Sequence, residues 1–354
     1  MKSETIKVSR IGENIYALIE DGEIVEIRIE DFTQKQNAKT GQIYVGRVKE
    51  VETRLSAAFV DIGGEIGFLS FSAKRPDYLV TGKLIKVKVV HSAHGNKSAT
   101  LKYIGEVSKN QAQIQLLEEG PEWGEWPTPR IASSQEKIDI LEVMGQLAGR
   151  SAEIEKGGNI TIEPTTALTA IDIDASARIA GGTNQGNFNH KLNLEAAKEI
   201  MRQIRLRNLS GLIVVDFVGA PSKIEAAELM TVLKASKTDT RKCEILPISK
   251  FGLCEMARQS SGLPHHKVLG LEGCNYWRRT AIEALNALAE EMRIAKGDIV
   301  VLDICASAFD ELEHWDFNWR EFLHENIGVR YDIRPNYAFD YRVSRKNALS
   351  DLRH

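Results

Sequence analysis

The chain has 354 residues, enough for two or three domains of about 150 residues each, so it can bury a sizeable core without disulfide bonds. Hydrophobic residues make up 43% and charged residues 27% of the chain, which excludes an intrinsically disordered protein and a small disulfide scaffold. No stretch reaches the roughly 18 consecutive apolar residues of a membrane span, and the first residues lack the apolar segment of a secretory signal. We therefore expect a cytoplasmic protein with no membrane span.

Charge is distributed unevenly along the chain. With 46 basic and 49 acidic residues the formal net charge is −3, which gives no overall attraction to nucleic acid. Residues 73–102, however, contain seven basic residues and one acidic residue, a local net charge of +6. This basic segment is the first candidate for contact with a polyanion.

Short β-prone runs dominate the N-terminal third. The runs 14–19 and 24–29 flank Asp21-Gly22, a pair typical of tight hairpin turns, so we predict a strand pair there. Five further runs are separated by turns rich in glycine, proline and asparagine. These runs are 43–51, 57–62, 66–71, 84–90 and 98–103. Five strands in about sixty residues predict a small OB-type β-barrel.

The segment 105–157 has a different character. Residues 119–129 contain glycine, proline and tryptophan at a density that excludes a regular element, so we predict a linker. After it, Ser133 and Glu136 have the spacing of a capping box and precede apolar residues at near-helical spacing. We predict a helix from this point.

The second half alternates strand and helix patterns. Strands are predicted at 167–174 and 212–217, joined by a helix for which Asn193 would be the N-cap. This βαβ unit predicts parallel strands joined by a right-handed crossover. Ser222 and Glu225 form a second potential capping box. The remaining predicted elements are a strand at 243–248, a helix at 277–292 and a strand at 299–304.

Acidic side chains lie at the ends of the two predicted parallel strands. Asp172 and Asp216 each follow apolar residues, where burying an unpaired carboxylate would be costly. If the strands are neighbours, the carboxylates lie about 4.8 Å apart at an edge that commonly binds ligands, and they repel each other unless a cation lies between them. Mg²⁺ prefers one or two carboxylates with waters and phosphate oxygens. The alternative is that one aspartate caps a loop or helix and the other pairs with an arginine.

Other ligand chemistry has less support. Asp174 lies on the same side of its strand as Asp172, so it could be a third ligand or a loop cap. The four cysteines are far apart with no Cys-x-x-Cys pair, so we expect no zinc site. The run 181–186 is glycine-rich but lacks dinucleotide spacing and a following Lys-Ser/Thr, so we expect no nucleotide cofactor. The pair His265/His266 is interpreted as packing or solvated.

Aromatic and basic residues of the barrel segment could bind a single strand. Phe59 and Phe68 lie on predicted strands, and Lys97 belongs to the basic segment. Aromatic rings on an OB-type face stack on unpaired bases, while a basic rim follows the phosphates. The alternative is that both rings belong to the barrel core. The arginines of the crossover helix are interpreted as a solvated face that could also help to hold phosphate; they are Arg202, Arg205 and Arg207.

Several runs resemble the ribonuclease E/G family. In the barrel segment they are 41–49 (GQIYVGRVK), 57–63 (AAFVDIG), 67–69 (GFL) and 95–97 (GNK). In the second half they are 166–178 (TALTAIDIDASAR), 193–197 (NLEAA), 203–217 (QIRLRNLSGLIVVDF) and 248–258 (ISKFGLCEMAR). The resemblance is close over most of 12–104 and 155–262 and loose over 263–354.

The resemblance implies an endoribonuclease that cleaves single-stranded, A/U-rich RNA and leaves a 5′-phosphate and a 3′-hydroxyl. By motif, Asp172 and Asp216 match two Mg²⁺ ligands, and Mn²⁺ could replace the Mg²⁺. Phe59, Phe68 and Lys97 match residues that bind RNA. Three more basic residues of the matching runs are further RNA-binding candidates; they are Arg178, Lys250 and Arg258.

Three departures from the family pattern affect these expectations. Asp174 stands where the family usually has asparagine, so the charge balance at the metal can differ and we include Asp174 among the catalytic candidates. The connection between barrel and catalytic strands is too short for the family's 5′-monophosphate sensor. The run His265-His266 to Gly270 occurs where long members carry a Cys-Pro-x-Cys zinc link, so an oligomer is compatible with the sequence but not one formed through zinc.

We therefore interpret the chain as a short-form, magnesium-dependent endoribonuclease of RNA processing or decay; the alternative is a non-catalytic single-stranded-RNA-binding protein on the same scaffold. The expected fold is multidomain α+β and α/β, with an OB-type barrel inserted near the N-terminus, a mixed α/β nuclease domain with ribonuclease-H-like and deoxyribonuclease-I-like parts, and a small C-terminal α/β domain. The expected boundaries are 1–38 (ribonuclease-H-like strands), 39–104 (barrel), 105–157 (linker and remaining ribonuclease-H-like part), 158–262 (catalytic domain) and 263–354 (C-terminal domain).

Overall fold

The computed structural model places the chain in two compact units. The residues that it describes are 3–33, 38–39, 41–72, 74–93, 98–108, 113–118, 126–155, 157–175, 185–260, 262, 264–269, 275–295 and 297–346, without the side chains of 185–187 and 275. One unit combines Met1–Gln34 with Thr128–His354, and the other is Lys35–Pro127. The second unit is thus inserted in the first, as expected for the barrel. The expected subdivision of the first unit stays a prediction.

The first unit begins with three antiparallel strands, β1 (Ser3–Arg10), β2 (Glu13–Glu20) and β3 (Glu23–Asp31). The predicted hairpin turn between β2 and β3 is confirmed. Asp21 and Gly22 both have positive φ angles, +49° and +91°, as the hairpin turn favoured by an Asp-Gly pair requires.

The inserted unit contains the predicted five-strand barrel, which fits the OB type. Its strands are β4 (Ile43–Glu52), β5 (Ala57–Asp61), β6 (Ile66–Ser70), β7 (Leu84–His91) and β8 (Thr100–Glu106). The strand order is β5-β6-β8-β7-β4, and pairing of β5 with β4 closes the ring. A sixth strand, β9 (Gln115–Glu118), pairs with β4 on the stretch that the sequence pattern assigned to a linker. A 3₁₀ turn at Thr53–Leu55 joins β4 and β5.

The first unit resumes with β10 (Arg130–Ile131), which pairs with β1 in parallel, and the predicted helix α1 (Ser134–Ala148). The capping box is confirmed because Ser133 and Glu136 exchange side-chain-to-backbone hydrogen bonds. The four-stranded sheet β10-β1-β2-β3 packs its apolar residues against α1.

A six-stranded mixed sheet forms the centre of the first unit. Its strands are β11 (Ser151–Glu153), β12 (Asn159–Pro164), β13 (Thr169–Asp174), β14 (Gly211–Asp216), β15 (Cys243–Ile245) and β16 (Leu253–Arg258). Helix α2 (Gln185–Leu206) connects β13 to β14, and α3 (Lys223–Ala235) follows with the predicted Ser222–Glu225 capping box. The order is β11-β12-β13-β14-β16-β15, and β13 and β14 are parallel, as predicted for the βαβ unit.

The C-terminal part of the first unit has a small sheet covered by helices. The short helix α4 (His265–Val268) precedes α5 (Asn275–Ile294), β17 (Ile299–Cys305), α6 (Ala306–Glu313), α7 (Trp319–Asn326), β18 (Tyr331–Asn336) and β19 (Tyr341–Lys346). The sheet order is β18-β17-β19, and apolar residues of β17 pack on the helices. No helix among the described residues is long and apolar enough to cross a membrane.

Two sequence interpretations on the crossover helix are wrong. Asn193 is not the N-cap, because α2 begins at Gln185 and the Asn193 side chain is buried inside the fold. Of the three arginines interpreted as solvated, Arg202 is exposed, whereas Arg205 and Arg207, the latter just beyond the end of α2, are buried. Arg205 binds Glu20 through two hydrogen bonds of 2.8 Å, and Arg207 donates to backbone carbonyls around the end of α1, including that of Leu147 at 3.2 Å.

Candidate active site

Asp172 and Asp216 are direct partners in the parallel register of β13 and β14. In-register residues of neighbouring strands project from the same face of a sheet, and neighbouring strands lie about 4.8 Å apart. Both aspartates are exposed. The sheet therefore brings the two predicted carboxylates side by side on a surface that water and a ligand can reach.

Strand alternation explains why the two carboxylates face outwards. Ile171 and Ile173 on β13, and Ile213 and Val215 on β14, are buried in the core shared with α2 and α3. Because successive side chains alternate between the two faces of a strand, the intervening aspartates must project from the opposite face. Because the isoleucine and valine side chains bury one face of β13 and β14, the aspartates lie on the opposite, exposed face. Neither carboxylate therefore carries a large desolvation cost.

The donor set fits Mg²⁺ better than a cation that requires a closed protein cage. Among the residues that the structure describes, no group of three or more His, Cys, Asp or Glu side chains could hold a metal ion. Mg²⁺ needs only one or two carboxylates, because it keeps several waters and accepts substrate phosphate oxygens. Asp172 and Asp216 could supply those carboxylates, with the remaining positions open to solvent.

Asp174 occupies the last position of β13, two residues beyond Asp172 and on the same face. It is exposed, and its partner in the antiparallel register with β12 is Asn159. The structure thus places Asp174 beside the pair but does not include it in a three-ligand cluster. Its catalytic role stays a prediction.

The exit of β14 is fixed from two sides. On one side, the Asn193 side chain binds both backbone groups of Val218, with N···O distances of 3.0 Å each. On the other side, the Phe217 amide donates to the carbonyl of Gly252 at 3.2 Å. Gly252 has a φ of +89°, and a Cβ there would lie 2.7 Å from the carbonyl oxygen of Gly219, so the close approach needs glycine.

Sequence reasoning missed one residue beside this site. Phe251 lies in the turn between β15 and β16 and is among the most exposed hydrophobic side chains described. Its neighbour Lys250, an RNA-binding candidate, is also exposed. The sequence does contain a signal for this residue. Between Ser249 and Gly252 an aromatic residue falls outside any strand or helix pattern, so no pattern predicts that its ring is buried in a core.

The structure places the RNA-binding candidates of the barrel as a pair. Phe59 on β5 and Phe68 on β6 are direct cross-strand partners, and both are half-buried. Their ring centroids are 6.0 Å apart at an interplanar angle of 70°, an edge-to-face contact. Neither ring belongs to the fully buried barrel core. Lys97 and Arg178 lie outside the described residues.

The prediction that Arg258 contacts RNA needs correction. Its side chain is only 3% exposed and donates to the carbonyl of Leu209 and to Asp239. A guanidinium enclosed in this way has its donors directed into the protein. Arg258 therefore holds the end of β16 to the Leu209 carbonyl and the Asp239 carboxylate, and its charge is not available to RNA.

Together, the mixed sheet, its crossover helix and the carboxylates at the strand ends define an α/β protein with a candidate two-carboxylate site. Residues 93–261 match the model of the ribonuclease E/G family. This segment, which contains Asp172, Asp174 and Asp216, is therefore similar to the ribonuclease E/G family.

Similarity to individual relatives is confined to part of the chain. Ribonuclease E of Escherichia coli is 45% identical over 112 residues, 31% of this chain and 10% of that protein. Ribonuclease E of Synechocystis is 33% identical over 156 residues, 40% of this chain and 22% of that protein. Ribonuclease G of Salmonella typhimurium is 35% identical over 122 residues, 34% of this chain and 25% of that protein. The matched part thus spans a quarter or less of these three relatives.

Proposed function

We propose that the protein is an endoribonuclease that cleaves single-stranded, A/U-rich RNA with Mg²⁺, acts in the cytoplasm, and leaves a 5′-phosphate and a 3′-hydroxyl. The observation that carries this proposal is the register pairing of Asp172 with Asp216 within the family-matched segment. In this reading the ribonuclease-H-like part would include β1 to β3 and α1, and the deoxyribonuclease-I-like part would include the six-stranded sheet.

The two aspartates would hold the metal from one face of the sheet. A bound Mg²⁺ would supply an activated water for attack on the scissile phosphate and stabilise the charge that develops on it. The rigid parallel strands keep the carboxylates in place without reorganisation, which is the condition for electrostatic stabilisation of a transition state. Asp174 would lie close enough to orient a metal-bound water or the RNA backbone.

The barrel would supply binding without sequence readout. Phe59 and Phe68 could each stack on an unpaired base, and Lys97 could follow the phosphates. Stacking requires a base that is not paired in a duplex, so this surface would select single-stranded RNA. Lys250 and Arg178 would add positive charge on the catalytic unit.

The alternative function is a protein that binds single-stranded RNA without cutting it. One assay separates the two: an unstructured A/U-rich oligonucleotide carrying a label at each end is incubated with the intact chain and Mg²⁺, and then with excess chelator. The proposal predicts discrete internal cuts that stop with chelator and resume when Mg²⁺ is restored. Retarded but uncut RNA under all three conditions would support the alternative.

A further inference from the structure

Phe251 presents a phenyl ring to solvent next to the candidate active site. Its side chain is 85% exposed, whereas burial of such a ring normally stabilises a protein. Single exposed hydrophobic residues are common on protein surfaces, so exposure alone assigns no role. Two further observations assign a role to Phe251: the rigidity of the turn that carries it, and the position of that turn relative to Asp216.

The turn that carries Phe251 is held by hydrogen bonds on both sides of the ring. The Ser249 hydroxyl accepts from the amides of Phe251 and Leu253 at 3.3 and 3.2 Å, and the Ser249 amide donates to the Leu253 carbonyl at 2.8 Å. The carbonyl of Gly252 accepts from the Phe217 amide, which follows Asp216 directly. The exposed ring therefore stands on a backbone that is already ordered, so little conformational entropy would be lost when a ligand stacks on it.

The register places this turn close to the carboxylates. Leu253 is the direct antiparallel partner of Asp216, and it lies two residues after Phe251. Two residues span at most about 7 Å and antiparallel partners lie about 5 Å apart, so the Cα atoms of Phe251 and Asp216 are within about 12 Å. If one nucleotide of an RNA strand lies at the site of the two aspartates, the next nucleotide of that RNA is within reach of the Phe251 ring.

We infer that Phe251 forms a stacking subsite for an unpaired nucleobase about one or two nucleotides from the phosphate that a cation at Asp172 and Asp216 would hold. The inference deepens the proposed function and rests on it for the position of that phosphate. Every base has a π-face, so such a subsite would select single-stranded RNA irrespective of sequence. The adjacent exposed Lys250 could neutralise the phosphate that joins the two nucleotides.

An abasic scan tests the subsite by affinity alone. The intact chain is titrated with a set of short single-stranded RNAs that each lack one base, with Ca²⁺ in place of Mg²⁺ and under conditions in which gels show the RNA to stay uncut. The same set is used with Phe251→Ala, Phe251→Trp and Tyr337→Ala. Tyr337 is a matched control because it is 92% exposed and lies outside the family-matched segment.

The wild-type protein should lose about 5- to 150-fold in affinity at one abasic position. Phe251→Ala should lose a similar factor on the unmodified RNA and show no further loss at that position. Phe251→Trp should restore wild-type affinity, and Tyr337→Ala should change it less than about twofold.

Two results would overturn the inference: unchanged affinity of Phe251→Ala, or a full abasic loss that persists in that variant. Because the readout needs no cleavage, the two proposals can fail separately. A position-specific loss in a protein that never cuts RNA would reject the proposed function and keep the subsite. Normal cleavage without any effect of Phe251→Ala would reject the subsite alone, and failure of the intact chain to bind RNA would reject both.

Discussion

Asn193 binds both backbone hydrogen-bonding groups of Val218, two residues beyond Asp216. Its Nδ2 donates to the Val218 carbonyl and its Oδ1 accepts from the Val218 amide, each at 3.0 Å. Asn193 is buried in the middle of α2, the helix that connects β13 to β14. The crossover helix thus fixes the point at which the chain leaves the candidate site.

Replacing Asn193 with alanine should loosen this exit. The change removes a buried side chain and leaves the half-buried amide and carbonyl of Val218 without these partners, so we expect the free energy of unfolding to fall by about 2–4 kcal/mol. Urea unfolding measures it. Asn189→Ala, one turn earlier on the same helix, is the control because the Asn189 Oδ1 has no hydrogen-bond partner among the described residues. Equal losses in the two variants would mean that the Val218 bonds contribute little.

His265 should make the stability depend on pH. Burial lowers the pKa of His265 to about 4, although the backbone of Ile27 and of Arg207 and the charge of Glu26 oppose the shift, while Arg241 adds to it. The Nε2–H donates to the Ile27 carbonyl at 2.9 Å, and Nδ1 has no partner among the described residues, which suits a neutral ring.

Because the folded pKa lies below the unfolded value of about 6.5, the unfolded state binds the proton more tightly. This contribution to stability is present above pH 6.5 and is lost as the pH falls towards 4, by about 2–3 kcal/mol between pH 7 and pH 4.5. Urea unfolding at the two pH values, for the wild type and His265→Gln, isolates it. The same pH dependence in both proteins would contradict the assignment.

Substitution of Arg258 should affect stability, whereas substitution of Lys250 should affect RNA binding. Arg258→Ala removes the nearest of three basic partners of Asp239 and the donor to the Leu209 carbonyl, while Lys237 and Arg241 remain near Asp239 at 3.7 and 4.0 Å. The variant should lower the free energy of unfolding by about 2–4 kcal/mol, with unchanged RNA affinity at low temperature. The exposed Lys250→Ala should change stability by less than about 0.5 kcal/mol and weaken RNA binding. Melting curves measure the stability of each variant and filter binding measures its RNA affinity. Weaker RNA binding by a stable Arg258→Ala, or a destabilised Lys250→Ala with unchanged RNA affinity, would reject the burial argument.

The paired rings of the barrel should stack on RNA rather than only on each other. Phe59→Ala and Phe68→Ala should each weaken single-strand binding by about 1–3 kcal/mol, measured at low temperature where both variants are folded. Phe71→Ala is the control because that ring packs against the barrel core, so its loss should lower the melting temperature and leave the affinity intact. Lower melting temperatures for Phe59→Ala and Phe68→Ala with unchanged affinity would make their rings packing residues.

Local sequence signals predicted the elements that depend on neighbouring residues. The Ser133–Glu136 and Ser222–Glu225 boxes and the Asp21-Gly22 turn involve residues within three positions of each other, so spacing alone indicates them. The aspartate pair was predictable for a related reason. A βαβ unit constrains its two strands to run in parallel, so residues that end them meet at one edge.

Contacts between residues distant in sequence were not predictable in the same way. Asn193 has the residue type of a cap, but its partner Val218 is 25 positions away. Arg258 has the residue type of a phosphate ligand, but the fold surrounds it with Leu209 and Asp239. The role of such side chains depends on the residues that the tertiary structure places around them. The periodicity within one helix or strand does not indicate those residues.

The register pair of Asp172 and Asp216 is tested most directly by the cleavage rate of Asp172→Asn and Asp216→Asn on an unstructured RNA at saturating Mg²⁺. Glu255→Gln is the control, since Glu255 is an exposed carboxylate on the same face of the sheet. We predict no detectable cleavage by either aspartate variant, wild-type cleavage by the control, and RNA affinities within about tenfold, or ~1.4 kcal/mol, of the wild type. Near wild-type turnover by Asp172→Asn or Asp216→Asn would contradict the two-carboxylate site.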